Sequence, residues 1–139
     1  MKKRVITPPG APVIGPYSPA VAAGPFLFVS GQIPLRAATG ELVAGDIRAA
    51  TAQVMENIAA ILAAADFSWA DVVKTTIYLT DLADFSTVNE VYGGYFSGDY
   101  PARVTVQVAA LPRGARIEID AVAFKAPWHM EAMGPGKER

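Results

Sequence analysis

Between Asp46 and Ala65 the apolar residues fall at Ile47, Ala50, Val54, Ile58, Ile61, Leu62 and Ala65. Gaps of three and four place them on one face of a helix. Asp46 is an N-cap residue just ahead of the first of them, and Asp66 ends the run. Ser68-Trp69-Ala70-Asp71 has the spacing of a capping box over a short turn. A second stripe, Phe85, Val88, Tyr92, Tyr95 and Phe96, predicts a helix from Asp84 to Phe96. Gly93-Gly94 costs it about 1 kcal/mol per residue against Ala, which weakens its C-terminal half.

Other segments alternate with the period of a strand. Ala20–Ala23 and Phe26–Ile33 predict two short strands about a Gly24-Pro25 turn. Val72–Thr80 is rich in β-branched residues. In Arg103–Ala109, Val104, Val106 and Val108 alternate with Arg103, Thr105 and Gln107. In Arg116–Lys125, Ile117, Ile119, Ala121 and Ala123 alternate with Arg116, Glu118, Asp120, Val122 and Phe124. Leu111-Pro112-Arg113-Gly114 reads as a turn making these last two strands antiparallel neighbours, with Arg103 and Glu118 on one face. Residues 1–16 read as an extended arm pairing at its start, Pro34–Gly45 as a loop, and residues 126–139 as a tail in which His129 has no role.

The order β-β-α-β-α-β-β predicts an α+β fold, one sheet with two helices on one face. The opposite face mixes ionisable residues with Val122 and Phe124. A half-apolar uncovered face predicts that other subunits cover it.

The length of 139 residues suits a single domain over residues 1–125 plus the tail. A hydrophobic content of 52% supports a packed core. The net charge of −1, with Lys2-Lys3-Arg4 as the dense basic run, disfavours a nucleic-acid partner. That run leads into Thr7-Pro8-Pro9-Gly10 and not into an apolar segment, so it reads as no export signal. The apolar run Ile58–Ala65 falls short of the ~20 residues of a membrane span. Absence of cysteine removes thiolate nucleophiles, disulfides and Cys-based metal sites, and a single histidine removes multi-His ones.

Chemistry is left to Arg, acidic, Tyr, Ser, Thr and Asn side chains. Arg103 and Glu118 admit two readings. One is a solvated cross-strand pair. The other is a small-acid site, in which a guanidinium on a stiff strand after Tyr100-Pro101-Ala102 grips a carboxylate and the glutamate serves as base toward water. Tyr17 reads either as packing or as a site residue. Ser30 reads as a strand-end serine or a hydrogen-bond donor, and Gly31 as room for a ligand. Asn89, on the apolar stripe, needs a polar partner.

Several segments together resemble the RidA (YjgF/UK114-like) family. They are Gly15-Pro16-Tyr17-Ser18, Ser30-Gly31-Gln32-Ile33-Pro34, Thr39-Gly40-Glu41, Asn57-Ile58, Val72-Val73-Lys74-Thr75-Thr76, Val88-Asn89-Glu90-Val91-Tyr92, Pro101-Ala102-Arg103 and Ile117-Glu118-Ile119. The resemblance covers roughly residues 7–125. It implies a single mixed sheet similar to trimeric bacterial chorismate mutase, with sites between subunits of a cytoplasmic homotrimer. It also implies hydrolysis of 2-imino acids and enamines, such as 2-aminoacrylate, to 2-keto acids and ammonia, with no metal or cofactor. Arg103 then matches the arginine that holds the substrate carboxylate, and Glu118 the residue that activates water. Tyr17, Ser30, Gly31, Asn89 and Thr105 match positions around the substrate. Thr105 replaces a frequent cysteine, Val104 a frequent serine, Pro19 a frequent glutamine and Asp66 a frequent glycine. Alternatives within the resemblance are a pathway-specific deaminase of aminomuconate-like substrates and a non-catalytic, metabolite-binding or chaperone-like trimer. Ribonuclease and translation-inhibitor roles also described in the family fit this charge balance least.

Overall fold

A computed structural model describes residues 2–11, 13 and 15–126. The tail expected over 126–139, with His129, lies outside these residues save for Ala126. The strands are β1 (Arg4–Ile6), β2 (Ala20–Ala23), β3 (Phe26–Gln32), β4 (Val72–Leu79), β5 (Ala102–Gln107) and β6 (Ile117–Phe124); the helices are α1 (Ile47–Ala64) and α2 (Phe85–Gly93). The order thus gains one strand at its start, because the arm pairs antiparallel to β2 over Arg4–Ile6.

Local signals act as their chemistry dictates. Asp46 accepts a hydrogen bond from the Arg48 N–H and caps α1. Ser68 and Asp71 form a capping box over a single 3-10 turn. α2 stops at Gly93, where the glycine pair makes continuation costly. α1 buries Ala50, Thr51, Val54, Met55, Ile58, Ile61 and Leu62 against the sheet. Facing them are Leu27 and Val29 of β3, Ile77 and Leu79 of β4, and Ile117 and Ile119 of β6. Each fully buried Leu or Ile contributes about 2 kcal/mol by transfer from water.

The sheet order is β1-β2-β3-β6-β4-β5, with β4 and β5 parallel and the other pairs antiparallel. The α1 crossover from β3 to β4 leaves a gap that β6 fills, whereas α2 links β4 directly to its neighbour β5. The expectation that β5 and β6 pair is therefore wrong. The chain does reverse after Leu111, but it lands one strand further in, with β4 between. Both helices cover one face, as α1 and α2 pack on each other. No helix among the described residues is long and apolar enough to cross a membrane.

The face without helices carries Val5, Phe26, Phe28, Val104 and Val106, all more than a third exposed. The valine row of β5 is thus turned away from the helices. Alternation shows which residues share a face but not which face a helix covers. Here α2 takes the row bearing Arg103.

Candidate active site

Arg103 lies opposite Thr75 in the β4–β5 register, on the face covered by α2. Three residues one turn apart along α2 cradle its guanidinium. Phe85 and Tyr92 place their ring centroids 5.5 and 5.2 Å from Cζ, within cation–π range. Asn89 Oδ1 accepts a 2.8 Å hydrogen bond from Nη1. No carboxylate lies within ion-pair distance of Arg103 among the described residues. Arg103 also lines a depression of about 460 Å³ together with Asn89, Tyr92, Gly93, Tyr100 and Pro101. Burial raises the Tyr92 phenol, opposed by its 2.7 Å hydrogen bond with Thr75 Oγ1 and by the nearby guanidinium charge. Tyr92 therefore stays a neutral prop beneath the cation.

Glu118 occupies the other face. It lies opposite Tyr78 of β4, on the side bearing Val122 and Phe124. Strand spacing puts its Cα roughly 14 Å from that of Arg103. The expectation that both side chains share a face fails, because β5 turns its arginine row toward α2. Instead Glu118 shares a second depression, of about 330 Å³, with Tyr17, Ser30, Gly31, Gln32, Ile33, Leu35, Asn57 and Pro112.

A register shift between Val29 and Gln32 brings Ser30 and Gly31 beside Glu118. Gly31 matters there for space: a Cβ added to it would overlap Glu118 Oε2 and lie 2.9 Å from the carboxyl carbon. The Ser30 hydroxyl donates to the Ser18 carbonyl at 2.6 Å, and the Ser30 N–H to that of Pro19 at 2.9 Å. Ser30 thereby fixes the segment presenting Tyr17, which is 46% exposed. Asn57 Nδ2 donates to the Leu35 carbonyl at 2.9 Å and holds the far wall against α1. Burial, then the charge of Asp120, raises the Glu118 carboxyl above its ordinary value of 4.5.

Thr105 follows Arg103 by two residues on the same face. Its Oγ1 is shielded from solvent and has no hydrogen-bond partner among the described residues. The chain therefore holds two separate groups of candidate residues. Tyr17, Ser30, Gly31 and Glu118 come together in one, and Arg103 and Asn89 in the other. The cradle formed by Phe85 and Tyr92 escaped sequence reasoning, although their spacing to Asn89 was the available signal. Asn57 stood out only within the resemblance segment Asn57-Ile58, and Tyr78 and Asp120 carried no signal that set them apart.

The family model described as Endoribonuclease L-PSP matches residues 9–125. A RutC family protein of Pyrococcus horikoshii is 53% identical over 90% of this chain and 99% of its own. The human 2-iminobutanoate/2-iminopropanoate deaminase is 48% identical over 90% of this chain and 92% of its own. Among solved structures, RidA from the Antarctic bacterium Psychrobacter sp. PAMC 21119 superposes with a TM-score of 0.84 at 45% identity, covering 88% of this chain and 99% of that one. With its β-β-β-α-β-α-β-β order and the family model spanning almost all the described residues, the chain belongs to the YjgF/RidA family.

Proposed function

We propose that this chain hydrolyses 2-imino acids and their enamine tautomers to 2-keto acids and ammonia, at sites shared between subunits of a homotrimer. The observation carrying this reading is the Arg103 guanidinium, held by Asn89, Phe85 and Tyr92 with no acidic partner among the described residues. Such a group suits bidentate capture of a small organic carboxylate. The substrate carbon is already electrophilic, so positioning and one base suffice. Glu118 takes a proton from water as the oxygen adds to C2. It returns that proton to nitrogen, giving a carbinolamine; it then takes the hydroxyl proton and passes it to nitrogen, so that the C–N bond breaks and ammonia leaves as the carbonyl forms. Gly31 keeps space open beside that carboxylate, and Tyr17 and Ser30 shape the same wall. Thr105 contributes its backbone N–H to the substrate.

Arg103 and Glu118 lie on opposite faces of one sheet, so a single protomer does not bring them to one substrate. A neighbour that covers the exposed Phe28, Val104 and Val106 would supply the missing half and bury apolar surface as it did so. Generating a 2-imino acid with an amino-acid oxidase and following semicarbazone formation tests the activity. The wild type should suppress the semicarbazone and Arg103→Ala should not. Equal rates in the two would refute the reading.

A further inference from the structure

Glu118 does not stand alone on its face. Asp120 follows it by two residues, so both carboxylates point the same way along β6. Tyr78 lies opposite Glu118 across the β4–β6 ladder and Thr76 opposite Asp120. The Tyr78 hydroxyl donates to Asp120 Oδ2 at 3.1 Å. That bond holds Asp120 in place. Burial and the Asp120 carboxylate in turn keep the Tyr78 phenol protonated, as a donor must be.

We propose that Asp120, fixed by Tyr78, is a positioning residue that sets the basicity of Glu118. A half-buried carboxylate beside a second carboxylate holds a proton more tightly than it would alone. Glu118 must accept a proton from water and later release it to nitrogen, and a firmer hold suits the first step. The other titratable groups near it are few. Tyr17 faces it from the arm, and β3 and α1 offer only the neutral Ser30, Gln32 and Asn57. Arg113 directs its guanidinium to the Gly40 carbonyl, and Arg116 to Gly45 and Asp84. Lys74 shares the open face but lies four residues from Tyr78 along β4, beyond Thr76. Within one chain, Asp120 is thus the charge among the described residues placed to act on Glu118, and in the proposed assembly the Arg103 of a neighbouring subunit faces the same site.

The inference rests on Glu118 as the base, and two measurements separate the claims. The first is the pH dependence of kcat/KM for imine hydrolysis. Its acid limb should move down by about half to one pH unit in Asp120→Asn, whose amide still accepts from Tyr78, and stay in place in Asp120→Glu. Glu118→Gln should abolish the limb; full activity with an unchanged limb in that variant would remove the base itself. The second is a 13C NMR titration of the Glu118 carboxyl in the full chain, which reads its proton affinity whether or not the protein deaminates anything. Its midpoint should fall toward the ordinary glutamate range in Asp120→Asn. Should that variant fail to fold, Asp120→Ser replaces it. A midpoint unmoved by loss of the Asp120 charge overturns the inference.

Discussion

The Glu118 carboxylate lies over the bare backbone of Gly31, in space that any side chain at residue 31 would fill. The atoms in the way are the far end of a flexible side chain, so Gly31→Ala is relieved by swinging the carboxylate aside. Stability should change little, by less than about 1 kcal/mol. Activity should fall tenfold or more, with kcat affected before KM, because a displaced base no longer reaches its water. Thermal unfolding and steady-state kinetics of the one variant check both halves.

Asn89 orients the guanidinium as a neutral acceptor. Asn89→Ala should raise KM about 5- to 30-fold, the worth of one charge-assisted hydrogen bond. Asn89→Asp should raise it further, because a carboxylate there pairs internally with Arg103 and competes with the substrate. Keto-acid inhibition constants for the two variants give the ranking, and a tighter-binding Asp variant would contradict it.

The raised Glu118 carboxyl has a consequence for stability. The folded state favours its protonated form. As pH rises from the ordinary value of 4.5 through the folded value, the folded protein loses a proton that the unfolded chain has already lost, and stability falls. Glu118→Gln should therefore melt higher than wild type at pH 7.5, with the gap closing below pH 4. Melting curves across that range read this directly; a variant less stable at every pH would contradict it.

Thr105 Oγ1 is desolvated without a partner among the described residues. Thr105→Val has the same shape without the hydroxyl, and it should stabilise the fold by about 0.5–1 kcal/mol. Denaturant midpoints measure that gain. KM should stay within about twofold, since the backbone N–H remains. A large rise in KM would place the hydroxyl on the substrate.

Much of this architecture is legible in the chain, and the exceptions share a cause. The α1 stripe, its Asp46 cap and the Ser68–Asp71 box are local devices, set by residues within a turn or two of each other. The position of β6 between β3 and β4 is not local. The Leu111–Gly114 signal specifies a reversal and says nothing of which strand comes next. The facing of β5 is likewise tertiary. Val104 and Val106 look like core, and Arg103 like surface, until Phe85, Asn89 and Tyr92 are seen to receive the guanidinium. Residues 17, 30, 31 and 118 lie together, whereas 89 and 103 lie apart from them behind α2, a separation that the period of the strands does not encode.

That separation gives the central claim its sharpest test. Arg103→Ala and Glu118→Gln, each expected to be inactive alone, are unfolded, mixed in equal amounts and refolded together. If each site takes Arg103 from one subunit and Glu118 from its neighbour, about a quarter of the interfaces carry both native groups, and about a quarter of the wild-type rate should return. A mixture no more active than its separate components would place both groups in one chain and contradict the account.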